Sequence, residues 1–347
     1  MRAIIAALAL WALAAPAAWA SELTLLARDY AVSPDLIAKF ERETGITVHL
    51  EIAASHAEIA ARLGDPPSGV DIVVLPDHRI GQLIEAGLLD RVLADRLPGF
   101  WNIEDPWRSR SFDPRNEYTV PHQWGTTAFA VDTSVHKGDI DTLRLLFDPP
   151  SDVVGHIVLL DDTDMVQLAL LYLGEPRCTG EQGKLDRAVR VLAPLVAKAK
   201  MASPNRLVAS LQAPDTVLGV SWNGDAMRAR DGRPALAYAY PAEGNLVWTD
   251  VAAVPRNPPN RSNALKFLAF LLRPENAALE SNFNGYANVI RGSEAHMLPA
   301  VLAAPELVAP WPGKVAFHAT CRGAVQRLHD RAWAEAKARA IILAETR

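Results

Sequence analysis

Cysteine is nearly missing from this sequence. Its 347 residues hold two, Cys178 and Cys321, which excludes a scaffold built on cross-links and offers no metal-site spacing. In an oxidising compartment the two could pair; the alternative is a pair of buried free thiols. Both sit in polar, loop-like segments, "GEPRCTGEQG" and "FHATCRGAV", so a bridge between them is expected. Basic charge is in deficit, with 35 Lys and Arg against 40 Asp and Glu. That balance argues against a nucleic-acid partner and suits a cationic one. After residue 20 no apolar run is long enough to span a bilayer: "FLAFLL", Phe267 to Leu272, is short and flanked by Lys266 and Arg273. There is no HExxH, no GxGxxG after a strand and no phosphate-binding Walker loop. "GVSWNG" has the outline of a nucleophile elbow, but Asn223 stands where glycine is required. The nine histidines contain no i, i+4 pair, and His49 and His56 lie far from obvious acid partners. No metal site, no cofactor and no catalytic set of nucleophile, base and orienter is legible.

What is present begins with "MRAIIAALALWALAAPAAWA": a basic Arg2, a short apolar stretch, and small residues at Ala18 and Ala20. This is the pattern of a secretory signal peptide spanning 1–20 and cleaved after Ala20. Ser21 follows the cut, so no lipoprotein anchor is expected. The remaining chain has 327 residues (347 minus 20), and its formal charge moves from −5 to −6 with the loss of Arg2. Such a length fits two domains. The location expected is outside the cytoplasm, periplasmic where there are two membranes.

The next hundred residues alternate. "ELTLLA" reads as a strand. "SPDLIAKFERETGI" reads as a helix, with Ser33 as N-cap, Pro34 in the first turn and Gly45 at its end. "TVHLEIA", "HAEIAARLGD", "VDIVVLP" and "RIGQLIEAGLLD" continue strand, helix, strand, helix. That order implies a mostly parallel sheet flanked by helices, with ligands at the carboxyl ends of its strands. "YTVP" and "TAFAVD" read as two strands, with Pro121 and Gly125 interrupting their pairing. A second α/β region follows: the strand "HIVLLDD", a helix from Thr163 and Asp164, the helix "KLDRAVRVLAPLVAKA", a strand running into a helix at Trp222, and the strands "ALAYAYP" and "LVWTDVAAVP". "RSNALKFLAFLLRPENAALE" reads as one long helix capped by Ser262, and the last fifty or so residues read as mainly helical.

Acids and rings concentrate at these strand ends and first turns. They are Asp29 and Tyr30, Asp161, Asp162 and Asp164, Trp222, Trp248 and Asp250, and Tyr286. In "NLVWTD", alternation puts Trp248 and Asp250 on one face. Ring faces attract cations, and carboxylates accept charge-assisted hydrogen bonds from ammonium groups. A box of rings and acids would hold a slender organic dication.

Taken in order, "RDYAVSPDLIAKFERETGITV", "VDIVVLPDHRIGQLIEAGLLDRV", "FDPRNEYTVPHQWGTTAFAVD", "VLLDDTDMVQLALLYLG", "GVSWNGDAMRARD", "EGNLVWTDVAAVP", "ALKFLAFLLRPENAA" and "NGYANV" resemble the periplasmic polyamine-binding proteins of ABC importers, the spermidine/putrescine type. The resemblance covers nearly the whole mature chain. It implies an α/β fold of two lobes joined by crossing strands at a hinge, the first 21–126 plus 248–294 and the second 127–247 plus 295–347. It also implies a non-enzymatic monomer that delivers a polyamine to the membrane subunits of an ABC transporter. By resemblance, Trp222 and Trp248 flank the methylene chain, and Asp250 takes one amine. Asp164 and Asp162 hold the far amine, with Asp161 and Asp162 left unranked. Asp29, Tyr30 and Tyr286 complete the pocket.

Three positions depart from the family. Ala27 and Arg28 stand where it has asparagine–tryptophan, which removes a ring and adds a positive charge. Pro76-Asp77-His78 stands where it has serine-x-tyrosine, so His78 replaces a ring, and Asp164 replaces a longer glutamate. These departures bear on the ligand. Another small cationic or amino-acid-derived solute stays open, as does ferric ion, for which only Tyr238 and Tyr240 alternate on one strand. A periplasmic hydrolase comes last.

Overall fold

The computed structural model of the chain describes residues 21–65, 67–307, 315–316, 321 and 323–346. The signal peptide read at 1–20 lies outside the described residues. Among those described, no helix is long and apolar enough to cross a membrane.

Among the described residues, eleven strands form one continuous sheet. They are β1 (Glu22–Arg28), β2 (Thr47–Ala53), β3 (Ile72–Pro76), β4 (Thr119–Asp132), β5 (Ile157–Leu160), β6 (Lys200–Ala202), β7 (Leu218–Trp222), β8 (Leu236–Tyr238), β9 (Asn245–Ala253), β10 (Ala287–Asn288) and β11 (Val315–Ala316). The main order is β2-β1-β3-β9-β4-β7-β5-β6. Outer strands pair in parallel, β2 with β1 with β3 on one side and β6 with β5 with β7 on the other. The middle is antiparallel: β3 with β9, β9 with β4, β4 with β7. The expected mostly parallel arrangement thus holds for each flank, and the antiparallel pair β4–β9 joins them into a two-lobed α/β fold.

Local chemistry explains the early elements. Ser33 Oγ accepts from Leu36 N at 3.4 Å, Pro34 occupies the first turn, and Gly45 closes the helix Pro34–Thr44 at φ 69°. The apolar face of that helix brings Phe40 edge-on against Phe267 and Phe270, with centroids 5.0 and 5.2 Å away.

Two expectations are corrected. Pro121 and Gly125 do not separate two strands; β4 is a single strand of 14 residues. The register shifts between Pro121, which stands opposite Val251, and Gln123, which stands opposite Asp250, so the bulge beside the proline takes up His122. His122 stands at this bulge with both ring nitrogens buried and unpartnered, and burial pushes its pKa down to about 4. The "long helix" is two, Arg261–Leu271 and Pro274–Asn284. Arg273 is extended at ψ 133°, as a residue before proline prefers. Asn260 precedes the first of them, and Ser262 lies inside it.

Apolar residues gather in three clusters. One underlies β4, β5 and β7 and includes Trp222, Trp248 and Tyr286. The other two cover opposite faces of β1 and β3. Cys178 and Cys321 are joined as a disulfide across a separation of 143 residues. By the chain-entropy model a closed loop of that size contributes on the order of 4–5 kcal/mol. Mass spectrometry of unreduced, alkylated protein is expected to find no free thiol, and reduction to lower the melting temperature. Two alkylated cysteines before reduction would contradict the bridge.

Candidate functional site

The sheet's topology collects the strand ends into one place. Asp29 and Tyr30 follow β1, and His78 lies in the first turn after β3. Asp162 and Asp164 follow β5, and Trp222 ends β7. Trp248 and Asp250 alternate along β9, and Tyr286 precedes β10. All nine line a single cavity.

Position on the strand decides which acids enter. Asp162 and Asp164 face the cavity. Asp161, adjacent in sequence, turns away and accepts from Trp333 Nε1 at 2.9 Å and Lys337 Nζ at 2.8 Å. This ranks the two residues that the sequence left level. Asp77 is likewise outside the lining, although His78 is in it.

Asp164 opens the helix Asp164–Tyr172. Thr163 at the cap makes no side-chain capping bond; Asp162 Oδ1 accepts from Asp164 N instead, at 3.1 Å. Thr127 Oγ1 donates to Asp164 Oδ2 at 2.6 Å, with Trp222 Nε1 at 3.4 Å from the same oxygen. Burial, and then the neighbouring Asp162 charge, push Asp164 up to about 7. On β9, Asp250 stands opposite Gln123 of β4, whose Nε2 donates to Oδ2 at 2.8 Å. Asn284 Nδ2 fixes that amide by donating to Gln123 Oε1 at 2.7 Å. Burial pushes Asp250 up to about 6, against the pull of Gln123 and Arg28.

The rings form the remaining walls. Trp248 meets Tyr286 edge-on at 5.0 Å. The Tyr286 hydroxyl donates to Asp225 Oδ2 at 2.8 Å, and Asp225 also pairs with Arg228 at 2.8 Å. Tyr30 sits at φ 59°, a left-handed backbone uncommon for a side chain of its size. Its ring stacks on Phe283 with centroids 5.3 Å apart.

Two histidines enter on the β1–β3 side. His56, which the sequence placed far from any acid, has Nδ1 3.9 Å from Asp162 Oδ2. Sequence distance hid a contact that the sheet makes. Burial first, and then neighbouring positive charge, hold His56 and His78 well below the ordinary imidazole range, so both are neutral at pH 7. His78 Nε2 is buried without a partner among the described residues. His78, Asp162 and Asp164 each bring one ligand atom within 4.8 Å of the others, the grouping best suited to a divalent metal ion. Tyr238 and Tyr240 are outside this lining. Tyr238 bonds Thr126, Tyr240 donates to Glu306 O, and burial raises both phenols, which disfavours ferric ligation.

Sequence reasoning missed Gln123, Thr127, His56 and Arg228 in this site. Thr127 and Gln123 could have been found by alternation along β4. Nothing in the sequence signals Arg228, which comes from the helix Asn223–Gly232.

Glycines shape the ring wall. A Cβ on Gly125 would lie 2.5 Å from Trp248 Cζ2, and one on Gly224 would lie 2.5 Å from Tyr286 Cε1 and 2.7 Å from Asn284 O. Gly125→Ala and Gly224→Ala are therefore expected to displace a ring and cost solute affinity by about tenfold or more, roughly 1.4 kcal/mol. Gly183→Ala, with open space at its Cβ, should leave affinity unchanged. Calorimetric titration of the three variants checks this; equal affinities would contradict it.

The chain is similar to known proteins. Residues 35–309 match the family model of the bacterial extracellular solute-binding protein. The spermidine/putrescine-binding periplasmic protein of Escherichia coli (strain K12) is 30% identical over 258 residues, covering 74% of each chain. The putrescine/agmatine-binding protein of Pseudomonas aeruginosa is 29% identical over 305 residues, 80% of this chain and 81% of its own. Among solved structures, a spermidine/putrescine ABC transporter substrate-binding protein from Streptococcus pneumoniae superposes with a TM-score of 0.77 at 20% identity, over 92% of this chain and 99% of its own. With its two-lobed sheet, its walled cavity and a match over most of its length, the chain belongs to the bacterial extracellular solute-binding protein family.

Proposed function

We propose that this is a periplasmic solute-binding protein, not an enzyme, that captures a slender organic cation of the polyamine class, such as putrescine or spermidine. It would hand that solute to the membrane subunits of an ABC importer and work as a monomer with no nucleic-acid partner. One observation carries the reading: a single cavity holds two separate sets of acids, Asp162 with Asp164 and Asp250, together with the faces of Trp222, Trp248 and Tyr286. Acids take ammonium groups, and rings take methylenes and cations. The names of the relatives in Escherichia coli and Pseudomonas aeruginosa support it. Asp29, Tyr30 and His78 complete the proposed pocket.

The two lobes are taken as 21–126 plus 248–294 and 127–247 plus 295–347. In support, β4 pairs with β9 through Thr127 and with β7 from Thr127 onward. Closure about this crossing is the expected response to solute. Small-angle scattering should show a smaller radius of gyration at saturating ligand; an unchanged value would argue against closure. A second reading rests on His78, Asp162 and Asp164. If a divalent ion is the cargo, zinc raises the melting temperature and putrescine does not.

Asp250→Asn keeps the shape and removes the charge. Leaving one side of a buried charge pair unmatched typically costs about 2–5 kcal/mol, or roughly thirty- to several-thousand-fold in affinity. Trp248→Ala should lose as much, through ring contact and burial. Titration with putrescine and spermidine, beside melting curves, checks both. Amine binding by Asp250→Asn at wild-type strength would remove Asp250 from the site.

Acidity gives an independent test. Asp164 rises to about 7 and Asp250 to about 6 without a cation. An ammonium needs both ionised, so each must release its proton below its own value. Affinity should therefore fall as pH drops from 7.5 through 5.5, approaching tenfold per unit for each protonated carboxyl. Calorimetry at pH 6 in two buffers of different ionisation enthalpy should report proton release on binding. Uptake, or no exchange, would contradict the assignment.

A further inference from the structure

We infer that the cation this slot binds most tightly carries a carboxylate beside its ammonium groups, so that a diamino acid is preferred over the bare diamine of the same length. This rests on the proposed reading of the cavity as a slot for an organic cation. The observation is Arg28, the last residue of β1, which lines the cavity with its guanidinium carbon 4.3 Å from the centre of the Trp222 ring. Its guanidinium makes no ion pair or hydrogen bond among the described residues. One ring that would receive an ammonium is therefore already covered by the protein's own cation.

A bare diamine meets this badly. Both of its ends are donors, and neither offers an acceptor to a guanidinium. It also adds positive charge beside a guanidinium that has no direct ion-pair partner among the described residues. A carboxylate solves both problems, because it matches the guanidinium fork with two acceptors.

Arg228 supports the same polarity. Its Nη2 donates to Asp225 Oδ1 at 2.8 Å and its Nη1 to the Asn284 carbonyl, while its Nε is buried without a partner among the described residues. The guanidinium carbon lies 4.5 Å from the centre of the Tyr30 ring, on the same cavity. The lining is thus short of acceptors at the arginines, although it is rich in acids elsewhere.

Placement narrows the class. Arg28 acts electrostatically on Asp250 yet does not pair with it, because Asp250 is held by Gln123. A carbon bearing both an ammonium and a carboxylate would set the first on Asp250 and the second on Arg28. The remaining ammonium would go to Asp162 and Asp164. This is an α-amino acid with a basic end.

Matched pairs test it, since members of each pair differ by one carboxylate: putrescine and ornithine, cadaverine and lysine, agmatine and arginine. Each is titrated calorimetrically into the full mature chain. The expected result is that the tightest binder is an amino acid, at least tenfold tighter than its decarboxylated partner. In Arg28→Met, which keeps an unbranched chain against Trp222, that preference should vanish and the bare amine should gain affinity. Arg28→Lys, which keeps the charge, should retain part of the preference, and it covers the case in which the first variant fails to fold. Tighter binding of the bare amine in all three pairs would overturn the inference and leave the cation slot intact. A preference unchanged in Arg28→Met would overturn it too. No binding by any of the six would bring down the cation slot itself, and the inference with it.

Discussion

Keeping carboxylates out of water without a direct ion pair is the constraint on which the rest of this structure turns. An acid so placed resists ionisation, and burial pushes Asp164 up to about 7 and Asp250 up to about 6. The protein offsets part of that cost with neutral donors: Thr127 and the Trp222 indole for Asp164, and Gln123 for Asp250. None of these carries a full charge. The site is thereby held ready for a positive group without being satisfied in advance. A salt bridge to a resident lysine would stabilise the empty form more and bind solute less.

The sheet makes this arrangement cheap in chain. β4 and β9 run side by side through the middle, so one ladder sets Gln123 opposite Asp250 and Gly125 opposite Trp248. The donor that holds the acid and the gap that admits the ring come from the same strand, two residues apart. The bulge after Pro121 shifts the register by one residue, which sets Gln123 opposite Asp250 and Gly125 opposite Trp248. On the other side of β4, Thr127 pairs with Trp222 and reaches Asp164. A single strand thus supports both sets of acids, and movement between lobes must pass through it.

Much of this was legible because the chain states its local rules openly. Ser33, Pro34 and Gly45 bracket a helix where capping chemistry says they should. Trp248 and Asp250 share a face because strands alternate. What escaped was decided by packing at long range. Pro121 looks like a break, yet a bulge accommodates it. Pro274 looked harmless inside an apolar run and divides the helix. Asp161 and Asp162 are indistinguishable as letters, and only the turn after β5 sends one to Lys337 and the other to the cavity. Arg228 comes from a helix with no strand-end signal, and His56 meets Asp162 across 106 positions (162 minus 56). Arg28 was visible as a departure from the family, but its seat on Trp222 was not.

The bond between Cys178 and Cys321 also sets an order of assembly. β6 to β11 all lie between the two cysteines. A chain made in the order of its sequence therefore completes β1 to β5 and Cys178 well before the second thiol, 143 residues later, is available. The flank containing β1, β2 and β3 can pair in that interval, except for its contact with β9. The ring of chain between the two sulfurs closes only once all of β6 to β11 has followed. Closing it is a chemical step, and its timing is set by the oxidant and not by the fold.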